Sequence, residues 1–151
     1  MDVITRISKD HRELEELINK VKSGGSDKSG AFDRLCAMLL AHEHAEEEKV
    51  YPELGKVVEG QEREKVHHAT EEQHQTEQMV QKLRELGPEA KDFRQVFDRL
   101  VSSLQHHMAE EENELFPRLA EKCDGQRLEE LGRDFAEARD AELGRGAQAK
   151  S

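Results

Sequence analysis

His42 and Glu46 stand one helical turn apart in the stretch HEHAEEEKVYPEL, and His107 and Glu111 repeat the arrangement in HMAEEENELFPRL. Residues at i and i+4 share a helix face, so each stretch would present an imidazole and a carboxylate side by side. Together they are nitrogen and oxygen donors of the kind that bind metal cations. Both stretches continue into an aromatic residue and a proline, Tyr51–Pro52 and Phe116–Pro117. The chain carries the same device twice.

Helices must position these residues. Apolar residues recur at helical spacing, and β-branched residues are few and never alternate as they do in strands. The first helix is expected over 3–22, ended by SGGSDKSG at 23–30. The second covers 31–59, bent near Pro52 and stopped by Gly60, and the third covers 61–86, closed by Gly87–Pro88. The fourth begins near Asp92, which stands at capping-box spacing from Gln95, and runs to about Lys122. Short connections make neighbouring helices antiparallel. The predicted fold is all-α: an up-down-up-down antiparallel four-helix bundle over residues 2–122. An additional C-terminal helix is expected to dock over 127–143, followed by a flexible tail over 144–151.

Read as inward stripes, three of these helices are apolar except where His or Glu falls in phase. The first runs Ile4, Ile7, His11, Leu14, Ile18, Val21 and the second Leu35, Leu39, His42, Glu46, Val50. The fourth runs Phe93, Phe97, Leu100, Leu104, His107, Glu111, Leu115. An inward carboxylate needs a compensating positive charge, and no Lys or Arg lies on the stripes at these levels. A metal would supply that charge, with histidine as co-ligand. Depth gives an independent test. His11 and His42 are equally far from the first connection, Glu46 and His74 from Gly60, and His74 and His107 nearly so from the third connection. At roughly 1.5 Å of rise per residue, these groups fall in one layer.

The third helix fits that layer less well. Its stripe of Val66, Ala69, Thr76, Val80 and Leu83 turns Gln73 inward and sets His74 about 100° away. Either His74 reaches in from the flank, or a π-bulge rephases the helix, or the site lacks this ligand. His68 with Glu72 is a further pair, off level. The expected ligand set is His11, His42, Glu46, His74, His107 and Glu111. Glu43 offers an additional carboxylate and Tyr51 a phenol close by, whereas His44, His67 and His106 are expected at the flanks or surface.

The remaining composition narrows the classes. With 34% hydrophobic and 38% charged residues, the chain suits amphipathic helices with solvated outer faces. A net charge of −11 argues against phosphate neutralisation on nucleic acids and against anionic membrane surfaces. No apolar run approaches a membrane span, and the start lacks a signal-peptide core, so a cytoplasmic location is expected. Cys36 and Cys123 form no framework and read as reduced structural thiols.

These motifs together resemble the hemerythrin-like, or HHE cation-binding, domain of the bacterial type. The resemblance is carried by KDH around His11, by HxxxE at His42 and Glu46 with YP after it, and by HHxxxEE and LFP around His107 and Glu111. It spans roughly residues 2–120, and 127–143 looks like the tail helix of bacterial members. It implies a bundle holding two non-haem iron ions, ferrous or ferric, joined by an oxo or hydroxo bridge. Glu46 and Glu111 match the bridging carboxylates, and His11, His42 and His107 match terminal imidazole ligands. His74 matches approximately the histidine of the third helix. The chain departs from the oxygen-carrying pattern, having no aligned HxxxH on the third helix and HxxxE in place of HxxxxD on the fourth.

The resemblance implies a protein that binds or senses dioxygen or handles iron, with dioxygen or peroxide as its small ligand. Fewer imidazoles leave more coordination positions open. The alternative is therefore an enzyme that decomposes hydrogen peroxide, catalase-like, or performs another oxidation. The sequence leaves the choice between binding protein and enzyme open, and it names no protein partner.

Overall fold

The computed structural model describes residues 1–150, with side chains through Arg145. Five helical runs follow one another: α1 (Val3–Ser23), α2 over 28–57, α3 (Gln61–Leu86), α4 over 93–122 and α5 (Gly125–Lys150). The first four form the expected antiparallel bundle, and α5 packs against α1 and α2. No strand occurs among the described residues. None of their helices is long and apolar enough to cross a membrane.

The ends of the helices follow local chemistry. Asp2 caps α1 by accepting the Thr5 N–H at 2.8 Å. At the far end of α3, Gly87 adopts φ +81°, a conformation costly for residues with a Cβ, and its N–H closes on the Leu83 carbonyl. The capping box expected at Asp92 does not form. Asp92 has near-helical backbone angles (φ −89°, ψ −1°) instead of the extended ones that aim a capping side chain, and it makes no side-chain cap.

Both α2 and α4 contain a wide π-helical turn. In α2, Lys28–Ala45 passes through Glu46–Val50 into Tyr51–Val57; in α4, Phe93–Glu110 passes through Glu111–Leu115 into Phe116–Lys122. Each turn stands just ahead of a proline, Pro52 or Pro117. Proline has no N–H, and its ring crowds the carbonyl four residues back. Here the residue before it, Tyr51 or Phe116, bonds the carbonyl five residues back, on Glu46 or Glu111. Near Pro52, where a bend was expected, α2 widens into this turn, and α4 repeats it. Such turns frequently mark functional sites, and each of these begins at an inward glutamate.

The apolar interior is split in two. One cluster gathers Leu14, Ile18, Phe32, Leu39, Phe97 and Leu104, and the other gathers Ile7, Val50, Leu54, Leu115, Phe116 and Phe135. Between them, every helix of the four changes character at one level: His11 on α1, His42 and Glu46 on α2, Gln73 and Thr76 on α3, and His107 and Glu111 on α4 are all buried.

The α5 helix begins at Gly125, with Asp124 accepting the Arg127 N–H at 2.8 Å. Leu128, Leu131 and Phe135 complete the second apolar cluster, and Arg127 grips both oxygens of Glu53 at 3.1 and 3.0 Å. Gly132 permits close approach to the start of α1, since a Cβ there would stand 2.7 Å from the Met1 carbonyl oxygen. The backbone is helical as far as Lys150, beyond the Leu143 end expected from sequence. Of the expected flexible tail, Ser151 lies outside the described residues.

Candidate metal centre

Residues from three helices converge in the polar layer. His11, His42, Glu46 and Glu111 each place a donor atom within 4.8 Å of the others, and all four are buried. Two ligands on opposite sides of one metal stand roughly 4 Å apart, given metal–ligand bonds of about 2.1 Å. The donors are therefore already gathered to metal-binding dimensions. His11 Nε2 lies 3.2 Å from Glu111 Oε1, and His42 Nε2 lies 3.1 Å from Glu46 Oε1. The two oxygens of Glu111 face different imidazoles, because Oε2 lies 3.5 Å from His107 Nε2.

The test of whether a cation fits is what these atoms do without one. His11 Nε2, Glu46 Oε2 and Glu111 Oε1 are buried and make no hydrogen bond of acceptable geometry within the protein, although His11 Nε2 and Glu111 Oε1 stand within ion-pair distance. Buried polar atoms in folded proteins are almost always paired, and leaving them unpaired is costly. Here several orphaned donors and acceptors point into one small volume. A cation satisfies them together, so the residues fit a metal.

The third helix contributes Gln73, not His74. The amide of Gln73 donates to Glu46 Oε1 at 2.8 Å and to the Tyr51 hydroxyl at 3.2 Å, and its own carbonyl oxygen is buried without a partner. His74 is 58% exposed, 3.4 Å from Glu47. The helix stays regular from Gln61 to Leu86, so no π turn rephases it and the apolar stripe decides which side chain enters. The off-level pair is also outside, with His68 65% exposed near Glu72. His44, His67 and His106 lie at the flank or surface, as expected.

Tyr51 is more deeply involved than its place in a packing motif suggests. Its hydroxyl donates to Glu111 Oε2 at 2.5 Å and lies 3.0 Å from His107 Nε2. Burial, together with the charges of Glu111 and Glu46, holds the phenol well above its ordinary pKa, so it remains a hydrogen-bond donor.

Outside the cluster, each imidazole turns its other nitrogen toward a carboxylate; a hydrogen bond there fixes ring orientation at metal sites, and it is made at His42 and His107 but not at His11. His42 Nδ1 lies 2.8 Å from Asp10 Oδ2, His11 Nδ1 3.6 Å from Glu112, and His107 Nδ1 3.4 Å from Glu72. Arg12 holds Glu112, and Arg139 holds Asp10. Sequence reasoning passed over Asp10 and Glu112, although their adjacency to His11 and Glu111 was the available signal.

Electrostatics in the chain alone are uneven. Burial and the neighbouring charge of Glu111 push Glu46 well above the usual carboxylate range. Burial works the same way on Glu111, but the charge of His107 and the close approach of Glu46, His107 and His11 outweigh it and hold Glu111 well below that range. Burial alone would lower His107, but the charges of Glu111, Glu46 and Glu43 and the close contact with Glu111 together raise it to about 10. Glu43, buried beside the layer with Oε1 unpartnered, is pushed well up by desolvation. The arrangement is one of acids and an imidazolium sharing protons where a cation would otherwise balance charge.

Comparison with known proteins gives the cluster its relatives. The family model of the hemerythrin HHE cation-binding domain matches residues 2–141. The crystal structure of an HHE cation-binding domain-containing protein from Mycobacterium kansasii superposes with a TM-score of 0.84. That match covers 98% of this chain and 91% of the other at 20% identity, a likeness of fold. No curated protein sequence matches. With a family match across nearly its whole length and a buried His/Glu cluster able to hold a metal, the chain belongs to the hemerythrin HHE cation-binding family.

Proposed function

We propose that the layer is a two-iron centre that binds or senses dioxygen or handles iron, held by His11, His42, His107, Glu46 and Glu111. The observation that carries this reading is the group of orphaned buried donor atoms in His11, Glu46 and Glu111. Glu111 supports a pair of ions, since its two oxygens face imidazoles from different helices. The mixed imidazole and carboxylate set suits iron better than a thiolate zinc site or an all-oxygen magnesium site. Iron bound there supplies one-electron redox chemistry and affinity for a small oxygen ligand. The chain's own residues fix the carboxylates: Tyr51 donates to Glu111 and Gln73 to Glu46. Two apolar clusters close the layer above and below and limit the entry of water.

The second reading is peroxide decomposition, or another oxidation. It is favoured by Gln73, which stands where a third-helix imidazole was expected, and by the phenol hydroxyl held at the ligand atoms. In that reading Tyr51 moves a proton at Glu111 Oε2. The ferrous-loaded protein exposed to air and then returned to vacuum separates the two. A reversible absorption change favours binding. Irreversible oxidation with sustained peroxide consumption favours the enzyme, and Tyr51→Phe should then slow that consumption by roughly 100-fold. A loaded protein inert to both dioxygen and peroxide would contradict both oxygen readings.

A further inference from the structure

The outermost helix reaches the polar layer through a chain of contacts that sequence neighbours do not supply. Arg139 on α5 donates from Nη1 to Asp10 Oδ1 at 2.5 Å, across 129 residues of chain. The other oxygen of Asp10 lies 2.8 Å from His42 Nδ1, and His42 Nε2 lies 3.1 Å from Glu46. Phe135, one turn before Arg139, sets its ring edge-on to His42 with centroids 5.4 Å apart. The Arg139 guanidinium lies over that same ring, 5.6 Å from its centroid. Thus α5 provides a wall for the imidazole and the counter-charge for the carboxylate that orients it.

Asp10 is 3% exposed, so its carboxylate depends on buried partners. With both oxygens engaged, it is placed to accept from Nδ1 of His42, which would leave Nε2 as the lone-pair nitrogen available to a metal beside Glu46. The corresponding support for His11 is looser, because Arg12, which holds Glu112, is 57% exposed against 19% for Arg139. A second tie holds α5 beside the same segment of α2, where His44 Nδ1 lies 2.6 Å from Glu142.

We propose that Arg139 is a positioning residue of the metal centre, acting through Asp10 on His42, and that metal occupancy and docking of α5 are therefore coupled. This rests on the reading that the layer binds metal. Coupling between two sites is reciprocal, so α5 fixes the ligand and the filled centre fixes α5. The helix then carries the state of the buried centre to the protein surface.

The test compares the full-length wild type with Arg139→Met, Arg139→Lys and Arg127→Met. Arg127→Met removes a charge from α5 at its Glu53 contact, away from His42. Anaerobic ferrous affinity is measured by chelator competition, and backbone hydrogen exchange of α5 is measured with and without iron. Arg139→Met is expected to weaken binding about 10-fold or more, as loss of an outer partner of a metal ligand does. Arg139→Lys should recover part of that loss, and Arg127→Met should stay near wild type. Iron should slow exchange across α5 in the wild type and lose most of that effect in Arg139→Met. Wild-type affinity in Arg139→Met, or equal losses in Arg139→Met and Arg127→Met, would overturn the proposal. A wild type that binds no iron would overturn the metal-centre reading itself.

Discussion

Glu111→Ala is expected to abolish metal binding and to lower the melting temperature of the metal-free chain. The Glu111 carboxylate is fully buried, 3.2 Å from His11 Nε2 and 3.5 Å from His107 Nε2, and it accepts the Tyr51 hydroxyl. Its removal takes away a fully buried carboxylate that faces two imidazoles of the layer, His11 and His107. It also strips the buried His107 of the strongest of the charges that raise its pKa, leaving those of Glu46 and Glu43. Breaking a buried charge pair by deleting one partner costs roughly 3–5 kcal/mol. For a domain of this size that is a fall of about 6–20 °C in Tm. Glu111→Gln retains the shape and an acceptor for Tyr51, so its Tm should fall by less while metal is still lost. Elemental analysis and thermal unfolding of the two variants check this. Full metal content in Glu111→Ala would remove that residue from the site.

Loading with iron is expected to raise Tm substantially, because the metal binds the folded chain and its ligands are scattered once the chain unfolds. At free metal about 1,000 times the Kd, linkage adds roughly 4 kcal/mol, or about 8–16 °C here. A chelator should reverse the rise. The gain also depends on pH, with a sign fixed by the protons that must leave. His107 is raised to about 10 and Glu46 is raised by burial and by Glu111 in the chain alone, and each must be deprotonated to ligate. Falling pH therefore weakens metal binding and shrinks the gain. For the metal-free chain, the raised His107 adds stability that is fully present below its unfolded value of about 6.5. That contribution is lost as pH rises through about 10. The two effects act together, so the loaded and metal-free curves should separate as pH increases. Curves that coincide at every pH would contradict a metal-binding layer.

What the sequence made legible was periodicity. Polar side chains interrupted three apolar stripes in phase, and the structure buries His11, His42, Glu46, His107 and Glu111 in one layer. On α3 the same periodicity turned Gln73 inward, but the chemical attraction of an imidazole favoured His74. Packing decided otherwise: Gln73 is 1% exposed and His74 58%. A glutamine can be buried against Glu46 at little expense because its amide supplies the needed donor. The π turns were harder to read. Pro52 announced a bend, but only the geometry shows that the residue before each proline bonds five residues back. The link from Arg139 to Asp10 was invisible for another reason, since nothing local marks a contact across 129 residues. Amphipathic spacing placed α5 against the bundle, and the register of docking then selected Arg139 and Phe135 to meet Asp10 and His42.

The most direct measurement is iron stoichiometry with the optical spectrum, after anaerobic ferrous loading and then admission of air. The chain carrying both His42→Ala and Glu111→Ala serves as the blank. The account predicts two irons per chain and a new absorption band on oxygenation, both missing from the blank. One iron or none, with no optical change in air, would contradict a two-iron centre in this layer.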